Sequence, residues 1–144
     1  VSWWDYGYWI EAMANKTTLA DGATMDQYQI ANIAKMMMLP PEESLPLFQK
    51  YNATHVLVFV TYNPNNWQES WPFGDNVKWQ WMVRIGGFNE SDFITVDQQG
   101  RASFTENYFN STLFGLMYGI VDTPYLKPAF ASRYGFVKIY SIEY

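Results

Sequence analysis

A pair of adjacent prolines, Pro40 and Pro41, constrains how this chain can fold, because proline beyond the first turn of a helix kinks or breaks it. Upstream, apolar residues recur at helical intervals and residues 24–27 have the spacing of a capping box, which predicts a helix over residues 25–39. Pro41 suits the first position of a second helix, residues 42–51, which has acidic residues at its positive end. This part of the chain is therefore predicted to hold two consecutive helices.

The rest of the pattern predicts two strands and two further helices. Residues 54–62 form an apolar run typical of a buried strand, and residues 136–144 alternate like a terminal strand. Shorter predictions complete the chain: a loop at 63–74, a helix from Asp75 to Gly86 and Gly87, a short strand at 93–96, a turn at 97–100 and a helix at 105–120. Helices outnumber strands without regular alternation, which predicts an α+β fold, a single helix-rich globular domain with a small sheet.

Composition limits the possible function classes. With 144 residues, 49% of them hydrophobic and 16% charged, the chain is long enough for one packed domain and leaves little room for a second. Its net charge of −5 and its scattered basic residues argue against a nucleic-acid partner. Since there is no cysteine, disulfides and cysteine metal sites are excluded. The single histidine, His55, lies in a predicted strand, where a structural role is more common than catalysis or metal binding.

No apolar stretch of the sequence approaches the ~20 residues that a membrane-spanning helix needs. No secretory signal is visible either. The chain opens on Val1, and an aromatic motif follows at once. We therefore expect residues 1–144 to be a soluble fragment of a longer protein, with any membrane segments upstream.

The five residues Trp3, Trp4, Asp5, Tyr6 and Gly7 bring together groups that can surround a small hydroxyl. The two indoles supply N–H donors and the carboxylate supplies a strong acceptor, whereas a hydroxyl both donates and accepts. Gly7 is expected to let the backbone turn sharply, since glycine tolerates dihedral angles that other residues resist. An aromatic pair beside an aspartate is also a common core pattern, so this motif alone does not assign a function.

A second cluster of residues lies in the helix that is predicted to begin at Asp75. Asp75, Lys78 and Met82 stand at positions i, i+3 and i+7, which places them on one face of that helix. Asp75 is predicted to cap the helix. Each residue taken alone has an ordinary explanation as a cap, an exposed lysine or a core methionine.

The two clusters together resemble the signature motifs of the catalytic subunit of oligosaccharyltransferase. The first is Trp-Trp-Asp-Tyr-Gly, and the second is Asp-x-x-Lys-x-x-x-Met, here followed by Val-Arg-Ile. Their order and spacing are those of the family, and residues 13–18 and 54–58 between them are similar too. The resemblance covers nearly the whole chain and is weakest at 63–73 and near the C-terminus. The compact length is most similar to short archaeal members of the family.

The resemblance implies a recognition domain for an acceptor peptide. In this family the first motif binds the Ser or Thr of the Asn-x-Ser/Thr sequon. Residues implied in that pocket are Trp3, Trp4, Asp5, Lys78 and Met82, and those that support the motifs are Tyr6, Gly7 and Asp75. Asp5 would accept the proton of the sequon hydroxyl, and Met82 would contact the Thr methyl. Lys78 would steady Asp5 or contact the peptide, and this choice stays open.

The resemblance also implies that the bond-forming machinery lies elsewhere. Acidic residues and a divalent metal ion, Mn²⁺ or Mg²⁺, would lie in an N-terminal membrane region, so no catalytic residue and no metal ligand is expected in residues 1–144. The implied partners are an acceptor polypeptide with Asn-x-Ser/Thr and a lipid-linked oligosaccharide, which is transferred to the Asn amide. The full-length protein would be membrane-anchored, with this domain on the extracytoplasmic or lumenal face.

Three other classes of protein remain open from the sequence. A carbohydrate-binding module could use the 19% aromatic content for sugar stacking and would bind free glycan, not sequon peptides. A hydrolase could use Asp5 and Asp75 as its pair of carboxylates. A structural interaction domain would leave both motifs unexplained.

Overall fold

The computed structural model describes residues 1–61 and 73–144 and confirms an α+β fold. The helices of these residues are α1 (Gly7–Ala14), α2 (Gln27–Met38), α3 (Pro41–Lys50), α4 (Asp75–Gly86), α5 (Glu106–Phe109) and α6 (Thr112–Tyr118). The strands are β1 (His55–Phe59), β2 (Ile94–Val96), β3 (Ala102–Phe104), β4 (Leu126–Ala131) and β5 (Val137–Ile142). Short 3-10 turns lie at Trp4–Tyr6 and Glu90–Asp92. The predicted loop at 63–74 lies outside the described residues except for Phe73 and Gly74.

The three-stranded antiparallel sheet has the order β1-β5-β4. β1 and β5 confirm the two predicted strands with shorter bounds. The sequence analysis misses β4, because every residue of this strand except Leu126 is exposed and its pattern therefore resembles a loop. β4 also contains Pro128, which is tolerated because the strand lies at the sheet edge, beside a bulge between Pro128 and Phe130.

A separate two-stranded hairpin joins β2 to β3. β2 lies within the strand predicted at 93–96, and the predicted turn at 97–100 is confirmed by a 3.0 Å hydrogen bond from the Gly100 N–H to the Asp97 carbonyl. β3 was not expected, since its three residues are exposed and carry no apolar pattern.

The predicted helix over 25–39 is confirmed as α2, but its predicted cap is wrong. Asp26 caps the helix by accepting hydrogen bonds from the backbone N–H groups of Tyr28 at 2.9 Å and Gln29 at 3.1 Å. The hydroxyl of Thr24 bonds instead to the Asp21 carboxylate, in the turn before the helix. α2 therefore begins at the residue after Asp26, whose carboxylate reaches the free N–H groups of the first turn.

The single helix predicted at 105–120 is divided into α5 and α6. Ser111 ends the first segment and begins the second, since its hydroxyl donates to the Tyr108 carbonyl and accepts from the Phe114 N–H at 3.2 Å. A serine side chain competes in this way with helical backbone bonds. The next residue, Thr112, is buried and donates to the Leu39 carbonyl at 2.8 Å, which ties α6 to the end of α2.

One hydrophobic core lies between the helices and the sheet. α2 packs against α4 and contributes a run of fully buried side chains around Ile33 and Met36 to this core. Trp3 joins it from the other side, because the Leu57 N–H of β1 donates to the Val1 carbonyl at 2.8 Å and fixes the incoming chain beside the strand. This pairing holds the first sequence motif next to β1.

Candidate functional site

The first motif forms the 3-10 turn Trp4–Tyr6, which continues directly into α1. Gly7 is helical, with φ −55° and ψ −49°, so the predicted sharp turn at this residue is wrong. The structure gives a different reason for glycine, because a Cβ at Gly7 would lie 2.0 Å from the carbonyl oxygen of Ala20. Glycine is therefore required here for a close backbone approach and not for its conformational freedom.

The two tryptophans of the motif have different environments. Trp3 is 3% exposed and belongs to the core, whereas Trp4 is half-buried and packs on the edge of that core. Among the described residues, neither indole N–H donates a hydrogen bond to a protein acceptor. Of the two, Trp4 has the side chain that an external ligand can reach without disturbing the core.

Asp5 and Lys78 form an ion pair that joins the two sequence motifs. The Lys78 ammonium donates to Oδ2 of Asp5. The Lys78 side chain is 18% exposed and the Asp5 side chain is 32% exposed. The other carboxylate oxygen, Oδ1 of Asp5, is buried and has no hydrogen-bond partner among the described residues. An unpaired buried acceptor costs about 1–3 kcal/mol, so this oxygen favours any ligand that brings a donor to it.

Asp75 does not cap α4, contrary to the prediction. The N-cap position belongs to Gly74, and Asp75 is the first helical residue, with its side chain completely buried. One carboxylate oxygen accepts from the Phe59 N–H of β1 at 2.8 Å, and the other accepts from the Tyr6 hydroxyl at 3.0 Å. Asp75 therefore fastens the first motif and β1 to the start of α4.

Burial dominates the protonation of Asp75. It raises the pKa of this carboxyl from 3.8 to about 7, although the hydrogen bonds from Phe59 and Tyr6 and the charge of Lys78 favour the ionised form. A carboxyl that exchanges its proton near neutrality at the centre of a site is uncommon outside functional sites.

Tyr6 occupies the centre of the cluster. Its hydroxyl accepts a hydrogen bond from Lys78 at 3.0 Å, and the Lys78 ammonium lies 4.4 Å from the centre of its ring. The hydroxyl proton can go to Asp75 or to the carbonyl of Phe73 at 3.2 Å. Burial and the neighbouring carboxylates raise the pKa of Tyr6 well above its usual range, so this side chain acts as a neutral donor and acceptor.

Asn76 is a residue of this region that sequence reasoning did not single out. Its side-chain amide accepts from the Thr61 N–H at 2.9 Å and donates to the Thr61 carbonyl at 2.8 Å, as a neighbouring strand would. The N–H of Gly74 adds a 3.1 Å bond to the Thr61 hydroxyl. Together these bonds attach the start of α4 to the segment that follows β1. Nothing in the local sequence indicates this pairing, because its partners are far apart in the chain.

Met82 is fully buried in the core, two helical turns beyond Asp75. The structure thus places the three residues of the second motif on one inward face of α4, as predicted, with Lys78 nearest to the surface. In this conformation the Met82 side chain contacts other core residues. The contact of Met82 with a Thr methyl stays a prediction. Such a contact requires the peptide side chain to enter between core side chains.

The described residues include no group of three or more His, Asp or Glu side chains that could hold a metal ion. His55, at the start of β1, is exposed and lies 3.0 Å from the hydroxyl of its neighbour Thr54. Asp5 and Asp75 are poorly suited to act as the two carboxylates of a hydrolase, because Lys78 pairs with the first and the second has no contact with solvent. The arrangement is suited to binding a hydroxyl instead.

In the two described ranges, no helix combines the length and the hydropathy that crossing a bilayer requires.

Comparison with known proteins identifies the family to which this chain belongs. A family model described as the STT3/PglB/AglB core domain matches residues 1–63, which include the first motif. The chain is 32% identical over 130 residues to the dolichyl-diphosphooligosaccharide–protein glycosyltransferase subunit STT3 of Saccharomyces cerevisiae, which covers 81% of this chain and 17% of that protein. It is 30% identical over 152 residues to the STT3 subunit of Dictyostelium discoideum, which covers 99% of this chain and 20% of that protein. The chain thus spans a fifth or less of the length of these relatives.

The fold is shared with a solved domain of the same family. The crystal structure of the C-terminal globular domain of an oligosaccharyltransferase from Archaeoglobus fulgidus superposes with a TM-score of 0.70 at 18% sequence identity. The match covers 99% of this chain and 78% of the archaeal domain. Since the sequence matches and the shared fold agree, this chain belongs to the STT3/PglB/AglB family.

Proposed function

We propose that this domain recognises the acceptor sequon Asn-x-Ser/Thr by binding the hydroxyl of its Ser or Thr. The observation that supports the proposal most directly is Oδ1 of Asp5, a buried carboxylate oxygen without a partner among the described residues. A Ser or Thr hydroxyl would supply the missing donor, and the half-buried Trp4, the preceding residue, would offer its N–H to the hydroxyl oxygen. Trp3, Lys78 and Met82 complete the proposed pocket.

Hydrogen-bonding pockets discriminate strongly against ligands that lack the bonding group. A peptide with Val in place of Thr has nearly the same shape but brings no donor to Asp5, so the carboxylate oxygen would stay unpaired. Because this oxygen has no contact with water in the described conformation, peptide binding requires a small rotation of the carboxylate or of a neighbouring side chain. The Lys78 ion pair limits that rotation by holding the other oxygen.

We propose that parts of the protein outside these residues carry out the transfer reaction itself. The relatives are named as glycosyltransferases that act with a dolichyl-diphosphooligosaccharide and a protein, and this chain matches only a small part of each. We therefore propose that the complete protein transfers a lipid-linked oligosaccharide to the Asn side chain with a divalent Mn²⁺ or Mg²⁺ ion bound elsewhere. In this proposal the complete protein is membrane-anchored and the domain faces the extracytoplasmic or lumenal side.

The test uses the full-length enzyme and four peptides that differ only at the sequon position, with Thr, Ser, Val or Ala. The wild type should glycosylate the Thr and Ser peptides and should lose most activity with Val and Ala. Asp5→Asn should abolish most of the activity with Thr and Ser while leaving the melting temperature close to wild type. Asp97→Asn, which changes an exposed aspartate that is also paired with a basic residue, is the matched control and should behave as wild type.

An Asp5→Asn enzyme that keeps its activity and its preference for Thr over Val would contradict the proposal. Binding of free glycan by the domain, without any dependence on a sequon peptide, would support a carbohydrate-binding module instead.

A further inference from the structure

We infer that Tyr6 and Asp75 are positioning residues for the Asp5–Lys78 pair, which they hold in the geometry that leaves one Asp5 oxygen for the acceptor hydroxyl. The inference rests on the proposed function of Asp5 and deepens it. It assigns the affinity of the pocket partly to two residues that do not touch the peptide.

The first step concerns the freedom of the Lys78 ammonium. A lysine head group sits on a flexible four-carbon stem, so a single ion pair does not define its position. Here the ammonium has a second partner in the Tyr6 hydroxyl, at 3.0 Å, and lies over the Tyr6 ring at 4.4 Å from its centre. Two directional contacts fix the ammonium, and through it they fix Oδ2 of Asp5.

The second step concerns the direction of the Tyr6 hydroxyl proton. To accept from Lys78, the hydroxyl must point its own proton elsewhere, and a phenol has only one proton to give. The Oδ1 oxygen of Asp75 lies 3.0 Å away and is the nearer acceptor, whereas the Phe73 carbonyl lies at 3.2 Å. Asp75 therefore orients the hydroxyl so that its lone pair faces the ammonium.

The third step concerns what holds Asp75. Its carboxylate is completely buried at the first residue of α4, and its second oxygen accepts from the Phe59 N–H of β1 at 2.8 Å. Lys78 follows one turn later on the same helix. The chain of contacts therefore starts and ends on α4 and passes through Tyr6 and Asp5, which are neighbours in sequence. Sites whose side chains are held by helices and strands have a more precise geometry than sites built on loops.

The variant Tyr6→Phe tests the inference because it removes only the hydroxyl. The ring keeps its edge-to-face contact with Phe59, whose centre lies 5.9 Å away, and its place under the ammonium. In the full-length enzyme we expect KM for a Thr peptide to rise about tenfold, which corresponds to about 1.4 kcal/mol, with kcat nearly unchanged. Tyr8→Phe is the matched control, because Tyr8 is exposed on α1 and outside the cluster, and its KM should stay at the wild-type value.

Two further variants separate positioning from simple structural support. Asp75→Asn keeps an acceptor for the Phe59 N–H, and its amide occupies the same space as the carboxylate and can still bond to Tyr6. It should therefore raise KM less than Asp75→Ala. In a Lys78→Met background, Tyr6→Phe should cause no additional rise in KM, because the residue through which it acts is absent. If Tyr6→Phe does not fold, the Asp75→Asn and Asp75→Ala pair carries the test.

Several outcomes would overturn the inference. If Tyr6→Phe behaves like Tyr8→Phe while Asp5→Asn removes the Thr preference, the positioning role is wrong and the proposed function stands. A lower melting temperature with unchanged KM, or a full additional effect in the Lys78→Met background, would show that Tyr6 is structural support. If Asp5→Asn itself has no effect, the proposed function fails first.

Discussion

The Tyr6 hydroxyl lies 3.0 Å from a carboxylate oxygen of Asp75, across sixty-nine residues of sequence. This contact joins the first sequence motif to the first residue of α4, and the Lys78–Asp5 ion pair joins them a second time one turn further on. The two motifs are therefore one structural unit. A change in one of them should alter the geometry of the other.

The stability of the chain should fall as pH rises from about 4 to about 7. The pKa of Asp75 is raised from 3.8 to about 7 in the folded state, so over this window the folded protein binds more protons than the unfolded chain. At about 1.36 kcal/mol per unit, the loss has an upper bound of about 4 kcal/mol. Urea unfolding of the 144-residue chain at several pH values measures it.

Asp75→Asn should flatten this dependence, because it removes the titrating group. Asp97→Asn is the control and should keep the wild-type slope, since its backbone hydrogen bond from Arg101 lowers the pKa of this exposed carboxyl and keeps it ionised over the window. A wild-type slope in the Asp75→Asn chain would show that another group carries the pH dependence.

Gly7→Ala should destabilise the chain by about 1–3 kcal/mol or more, because the new methyl would lie 2.0 Å from the Ala20 carbonyl oxygen and backbone must move to admit it. Gly22→Ala is the matched control: no heavy atom lies within 4 Å of a Cβ there, and its stability should stay close to wild type. Thermal melting of the two variants decides the point. Equal melting temperatures would mean that the close approach at Gly7 relaxes without cost.

Substitution of Trp3 should mainly lower stability, whereas substitution of Trp4 should mainly weaken peptide binding. Trp3→Ala should lower the stability by about 3–5 kcal/mol, since it empties a buried aromatic position. Trp4→Phe removes an N–H from a half-buried ring and should leave the melting temperature nearly unchanged while raising KM for the Thr peptide. An unchanged KM in Trp4→Phe would remove this indole from the proposed pocket.

Met82→Ala should destabilise the chain by about 2–5 kcal/mol, because Met82 is fully buried and its truncation leaves a cavity. If Met82 also contacts the Thr methyl, a fully buried methyl at ~0.8 kcal/mol gives the wild type about a fourfold higher catalytic efficiency with Thr than with Ser peptides. Met82→Ala should lower this ratio toward one. Melting curves and catalytic efficiencies with both peptides distinguish these effects. An unchanged Thr-to-Ser ratio would assign Met82 to core packing alone.

The isolated 144-residue chain should transfer no glycan to a sequon peptide. The proposed metal site and lipid-binding segments lie outside it, and its described residues include no metal-binding cluster. Incubation with a lipid-linked oligosaccharide, Mn²⁺ and a labelled peptide, beside the full-length enzyme, measures this. Product from the isolated chain would refute the proposed division between recognition and catalysis.

Local sequence patterns determined the helices and strands that bury one apolar face or end at a proline. The α+β class, α2, α3, β1 and β5 follow from apolar periodicity and from the stop at Pro40 and Pro41, and the common helix face of Asp75, Lys78 and Met82 follows from their spacing. Such patterns persist in the structure because each element buries the apolar face that its own sequence provides.

Tertiary structure alone decided the features that depend on distant partners. Asp75 has the sequence context of a helix cap, yet it lies buried between β1 and Tyr6, because the Phe59 N–H and the Tyr6 hydroxyl both donate to its carboxylate. Gly7 is needed for the approach of Ala20, and β4 forms because β5 offers it a free edge, although its own residues are exposed. Hydrogen bonds across the fold outweigh local propensity at these positions, since a buried polar group without a partner costs more than an imperfect local choice.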